Sequence, residues 1–64
     1  MTPNPGEAAT AWYIQRQPDG TCELIPESEF EERADSSSWG PYPSRAEAIT
    51  RRVGLIRAGH CRPV

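Results

Sequence analysis

The sequence predicts a small two-layer α+β unit. A β-hairpin, extended by a short third strand, packs on one C-terminal amphipathic helix. Three observations lead there. Two short stretches, residues 11–16 and 21–26, alternate in polarity around a turn sequence. Residues 39–59 hold a helix pattern with both ends marked. And 64 residues suffice for one domain at most, here expected over residues 11–64 behind a tail at 1–10.

The elements follow in order. In A-W-Y-I-Q-R, Trp12 and Ile14 share one face while Tyr13 and Gln15 share the other. That is the alternation of a half-buried strand built from strong strand formers. Gln17-Pro18-Asp19-Gly20 is a turn. Pro18 presets φ, Asp19 bonds nearby backbone, and Gly20 accepts positive φ. Residues 21–26 alternate again, with Cys22 and Leu24 on one face, and Pro26 ends the strand or marks it as an edge. Strand, turn and strand make the hairpin.

Residues 27–38 are acidic and serine-rich, and Phe30 is their one large apolar side chain. A loop, a short irregular helix and an edge strand are all compatible with them. Ser36, Ser37 and Ser38 argue for a flexible tip. Trp39-Gly40-Pro41-Tyr42-Pro43 is extended, because each proline pushes the residue before it out of the α region. This segment is where the third strand is expected.

Ser44-Arg45-Ala46-Glu47 is a capping box, with Ser44 Oγ accepting from the Glu47 amide and the Glu47 carboxylate reaching back to Ser44. Ala46, Ile49, Val53 and Ile56 then fall on one helical stripe. Gly59 suits the position after the helix and Arg57 suits its last turn. The helix is expected over residues 45–58, with a core of Trp12, Ile14, Leu24, Trp39, Ile49, Val53 and Ile56. Gly54 lies off the stripe and costs ~1 kcal/mol against alanine; the close approach of another backbone and simple sequence drift both account for it.

Composition narrows the function. A chain this short buries only about 60% of its unfolded surface. With 36% hydrophobic residues, two tryptophans, two tyrosines and one phenylalanine must supply much of the core. Marginal stability favours association with a partner protein or a second copy. No apolar run approaches the ~20 residues of a membrane span. The start M-T-P-N-P-G-E lacks the basic and apolar regions of a signal peptide, so a cytoplasmic location is expected.

The net charge of −2 hides a division. Glu23, Glu27, Glu29, Glu31, Glu32 and Asp35 cluster against Arg33, and Arg45, Arg51, Arg52, Arg57 and Arg62 cluster against Glu47. All the basic residues are arginine, the better fork for carboxylate and phosphate.

Catalysis finds little support, and the expectation is a protein that is not an enzyme. The acids sit in a loop without an apolar pocket to raise a carboxylate pKa. His60 has no orienting partner, and phosphate-loop and dinucleotide glycine patterns are missing. Cys22, His60 and Cys61 match no zinc-finger spacing, and adjacent His-Cys ligands strain a tetrahedral site, so no metal or other cofactor is expected. For Cys22 and Cys61 two readings stand. They are a small core residue and an idle surface thiol. Or a helix crossing the hairpin brings them together in a disulfide, which in a cytoplasmic protein would act as a redox switch.

The arginines are the stronger lead. Leu55 and Ala48 form a small apolar patch outside the main stripe, flanked by Arg51 and Arg52. An apolar residue between arginines suits a protein contact, with Arg51, Arg52, Leu55 and Arg57 as the partner-binding face. Arginines on phosphates with Tyr13 or Tyr42 stacking would suit RNA or DNA. Arginines that merely offset the acidic segment would contribute little.

The D-G-x-C turn at Asp19, Gly20 and Cys22, and the run E-A-I-T-R-R-V-G-L-I-R-A-G from Glu47 to Gly59, resemble a group of small cyanobacterial proteins. The likeness spans residues 11–63. It implies that Asp19, Gly20, Cys22, Trp39, Gly40, Pro41, residues 51–59 and Cys61 are features of the group. His60 stands where the group has lysine, and Thr50 where it has alanine. The group brings no biochemical activity with it. A transposase activity sometimes attached to it needs three acidic metal ligands on a much longer α/β sheet. The helix entry G-P-Y-x-S-x-A-E-A also looks like that of small peptidoglycan-binding repeats of the SPOR type, which would imply a periplasmic setting. The sequence thus predicts a small non-enzymatic accessory protein that docks on a larger protein assembly through its arginine-rich helix. A weak nucleic-acid binder and a thiol-based redox-responsive regulator are the alternatives.

Overall fold

The computed structural model describes residues 11–33 and 36–63. The tail expected over residues 1–10, and Asp35, lie outside them. Strands β1 (Trp12–Arg16), β2 (Cys22–Pro26) and β3 (Ser38–Tyr42) form one antiparallel sheet in the order β2-β1-β3. Helix α1 (Arg45–Arg57) follows and packs on one face. This is the predicted α+β unit, third strand included.

The hairpin turn closes as its residues dictate. Gly20 N donates to Gln17 O at 2.9 Å and Gln17 N donates to Thr21 O at 2.7 Å. Asp19 Oδ1 accepts from the Thr21 hydroxyl at 2.6 Å and the Thr21 amide at 3.0 Å. Those bonds, helped by the Arg62 charge, hold the Asp19 carboxyl below the usual carboxylate range. Gly20 sits at φ +91°, where a side chain would be strained.

Register puts Ile14 opposite Leu24 and Trp12 opposite Pro26, all on the helix face. On the other side of β1, Ile14 pairs with Trp39 and Trp12 with Tyr42, with an irregularity between. Trp39 and Tyr42 are three residues apart, so plain alternation would send them to opposite faces. A bulge at Gly40-Pro41, whose peptide bond is cis, returns both to the helix face. Gly40 has φ +129°, and a Cβ there would meet Trp12 O and Tyr13 Cδ1 at 3.0 Å. Only glycine fits.

Helix α1 starts at the expected cap, with Ser44 Oγ accepting from Glu47 N at 3.1 Å. The Glu47 carboxylate pairs with Arg51 one turn on, at 3.4 Å. At the other end Gly59 N donates to Ile56 O at 3.1 Å and His60 N to Leu55 O at 2.9 Å, with Gly59 at φ +85°. That is the paired bonding of a Schellman motif.

The buried face of the helix differs from the predicted stripe. Ala48 is fully buried, Leu55 and Ile56 pack on the core, and Val53 is 43% exposed. Ala46 is also exposed, while Ile49 is half-buried. The helix is turned by somewhat less than one residue step, about 100°, from the orientation that apolarity selects. The reason is volume. Trp12, Trp39 and Tyr42 fill the space between the layers from the sheet side. The helix therefore comes closest where its side chain is smallest, at Ala48. The core is Trp12, Ile14, Cys22, Ala48 and Cys61, with Leu24, Trp39, Tyr42, Leu55 and Ile56 packed around it.

The second sheet face is covered by the segment after β2. It makes a single 3-10 turn over Glu27–Glu29 and then runs back across the sheet. The Phe30 ring stacks on Tyr13, centroids 3.8 Å apart and 6° from parallel. Gln15, buried on this face, donates from Nε2 to Glu31 O at 3.1 Å. The expected serine tip is tied down instead: Arg16 N donates to Ser37 O at 2.9 Å, and Ser38 belongs to β3.

Candidate functional site

Cys22 and Cys61 are joined in a disulfide, Cα atoms 5.6 Å apart, across 39 residues of chain. Of the two readings, free thiols and a bridge, the structure has the bridge. Cys22 opens β2 on the helix face, and the Schellman motif turns the chain so that Cys61 meets it. Both residues are buried. Arg62 N then donates to Gly20 O at 2.8 Å, fastening the C-terminal segment to the hairpin turn. With both sulfurs bonded, Cys22, His60 and Cys61 offer no thiolate for a metal, and His60 lies against Trp39 with ring centroids 6.0 Å apart.

The four residues expected to form one partner face are dispersed. Arg51 is exposed and paired with Glu47. Arg52 is half-buried on the sheet side, and its Nε is buried with no hydrogen-bond partner. Leu55 packs against the core. Arg57 is exposed, about 120° round the helix from Arg51. Arg45, on the sheet side of the first turn, lies over the Trp12 ring at 5.9 Å from its centroid.

Two of the four do meet, in a groove between α1 and the end of β3. This depression of about 440 Å³ is lined by Tyr42, Glu47, Thr50, Arg51, Gly54 and Leu55. Leu55 serves two surfaces, closing the core with one side and forming the groove wall with the other. Gly54 makes the depression. A Cβ at Gly54 would meet nothing within 4 Å among the described residues, so no close approach within them accounts for the glycine. Its missing side chain leaves space beside Leu55 and Tyr42. The helical cost of Gly54 was the signal for this site in the sequence. Tyr42 enters the sequence reading as a stacking residue for nucleic acid, and its place beside Gly54 depends on the bulge. Among the described residues no cluster of His, Cys, Asp and Glu is arranged to hold a metal ion, and no helix is long and apolar enough to cross a membrane.

Comparison of the chain with protein-family models, curated proteins and solved structures gives no match.

Proposed function

We propose that this chain is a small non-enzymatic binding protein that docks on a larger protein assembly through the groove at Gly54. The observation that carries the reading is a glycine inside a helix with open space over it, beside Tyr42 and Leu55 and under Arg51. Such a glycine costs the helix ~1 kcal/mol and makes room for no close contact among the described residues. Its place between an aromatic ring and an apolar wall suits a partner segment that presents an apolar side chain, with the Glu47–Arg51 ion pair also lining the groove. The nucleic-acid alternative draws less support. Arg51, Arg52 and Arg57 point in different directions, and the Tyr13 ring is occupied by Phe30.

The test fills the groove without touching the core. Gly54→Ala should raise stability by ~1 kcal/mol in urea denaturation, as an open helical position allows. Gly54→Arg should keep the fold and lose the protein that wild type captures stoichiometrically from native lysate. Capture unchanged by Gly54→Arg would remove the groove as the docking site. Leu55→Asp is the poorer variant, since it puts a carboxylate against the core.

The disulfide favours a redox-responsive version of the same reading. It holds the segment that follows the helix turn carrying Leu55. In a reducing cytoplasm it would be a switch, and in an oxidising compartment a permanent staple. Repeating the capture with and without reductant separates these two.

A further inference from the structure

We infer that the chain after α1, residues 59–63, is a redox-released strap, and that its release loosens one wall of the docking groove. The strap crosses the hairpin end of the sheet. His60 lies against Trp39 of β3, ring centroids 6.0 Å apart. Cys61 is bonded to Cys22 at the start of β2. Arg62 N donates to Gly20 O in the hairpin turn at 2.8 Å. Beside the Thr21 hydrogen bonds, the Arg62 charge helps to hold the Asp19 carboxyl below the usual carboxylate range. Three consecutive residues thus meet three separate parts of the fold.

Burial identifies the contact that fastens it. Gly59, His60, Arg62 and Pro63 are exposed, whereas Cys61 is 3% exposed. Without the covalent bond, one small thiol is what remains of the strap's apolar anchor. That area is too small to offset the conformational entropy of the ordered segment. The other ties are backbone hydrogen bonds at an exposed rim, where water competes for each group. Helix α1 keeps its own hold on the sheet through Ala48, Leu55 and Ile56. The bond therefore carries the strap more than it carries the two layers.

Leu55 connects the strap to the groove. Its carbonyl accepts from His60 N at 2.9 Å and from Cys61 N at 3.3 Å, and its side chain lines the groove beside Gly54. When the strap leaves, both bonds go, and the last turn of the helix becomes an ordinary fraying end. The wall that Leu55 gives the groove is then fixed only in the oxidised chain. This second step rests on the groove as the docking site; the strap itself does not.

The co-reactant is a dithiol. One of its thiolates attacks Cys61 Sγ, the bond to Cys22 breaks, and Cys22 leaves as a thiolate. The second thiolate of the reductant then displaces Cys61 from the mixed disulfide. Two electrons pass to the bridge, both cysteines take up the protons that the dithiol gives up, and the reductant departs as a disulfide. Both cysteines are buried, so attack waits until the exposed flanks of the strap lift.

The test is NMR of the oxidised chain and of the same chain reduced with dithiothreitol, without urea. After reduction the His60, Cys61 and Arg62 amides should take random-coil shifts. The Tyr13 and Ile25 amides, paired in the middle of the hairpin, should keep theirs. The Leu55 methyls should lose their oxidised shifts. Strap amides unmoved by reduction would overturn the strap, and so would a collapse of the hairpin along with it. Leu55 methyls unmoved beside a released strap would overturn the link to the groove. A kinetic measurement on the oxidised chain needs no folded reduced form. Local lifting exposes little surface, so the rate of reduction should be nearly flat at low urea. A rate that climbs from zero urea with the full slope of unfolding would overturn local release. His60→Ala, which removes the contact with Trp39, should speed reduction several-fold. None of these readouts involves a partner. A groove that binds nothing, shown by capture unchanged in Gly54→Arg, therefore fails separately from a strap that does not move.

Discussion

On the helix side of the sheet, Trp12, Ile14 and Cys22 meet a regular element and a covalent bond. On the other side, Tyr13 and Gln15 meet, among the described residues, the segment that crosses back after β2. The first cover is made of a helix with caps at both ends, fixed by the Cys22–Cys61 bridge. The second rests, among the described residues, on a ring stack, a side-chain hydrogen bond and backbone bonds such as Arg16 N to Ser37 O. The same three strands thus carry a cooperative core on one face and a local, polar-assisted cover on the other. A chain too short for two cores concentrates its apolar volume on one side and closes the other with what remains. The groove at Gly54 lies at the edge of the helix-side cover, where α1 meets the end of β3.

The largest effect should come from cutting the covalent part of the helix-side cover. Closing a loop of about 40 residues stabilises by about 3–4 kcal/mol in the chain-entropy account. Small domains sit near the low end of the usual 5–15 kcal/mol or so. The double variant Cys22→Ser, Cys61→Ser, or wild type under reductant, should therefore lose most of its stability in urea denaturation. Coincident curves for oxidised and reduced protein would mean that the helix face stands without its staple.

A smaller and more local effect is expected on the other face. Phe30→Ala removes the stack on Tyr13, worth about 0.5–1.5 kcal/mol beyond the area it buries. The total should stay near 1–2 kcal/mol, because Phe30 is only half-buried. Hydrogen exchange distinguishes the two covers. The Phe30 amide, bonded to Glu27 O at 3.2 Å, should exchange faster in the variant, while the β1–β2 amides keep their protection. A global loss of protection would mean that the loop side belongs to the same cooperative unit as the helix side.

These contrasts follow what could be read from the chain beforehand. The hairpin turn, the Ser44 cap and the Gly59 stop are set by neighbouring residues, and local chemistry specifies them. The third strand was legible as extended backbone, but its face was not. That face depends on a bulge that only the clash over Gly40 explains. The cover made by Phe30 and Gln15 has no period, so nothing in residues 27–38 announced it. The cysteine pairing is a tertiary fact that spacing left open. Of the site, Gly54 was legible as a cost in search of a reason. Leu55 was legible as apolar, but assigned to a free surface when it also closes the core.

The smallest predicted effect discriminates most sharply between the two ways of reading the helix. Apolar periodicity alone puts Val53 in the core, where a carboxylate would cost several kcal/mol or force its own protonation. The structure has it 43% exposed, with Ala48 and Leu55 carrying the contact instead. Val53→Asp should then change stability by no more than about 0.5 kcal/mol, as expected for a surface position. The small loss of helix propensity works in the destabilising direction. Thermal unfolding of the single variant decides it. A drop comparable to that of the disulfide variant would turn the helix back to the face its apolar residues select, and would take Leu55 out of the core and Gly54 away from Tyr42. A near-neutral result leaves the aromatic volume of Trp12, Trp39 and Tyr42 as what sets the helix rotation, with the groove at Gly54 as its consequence.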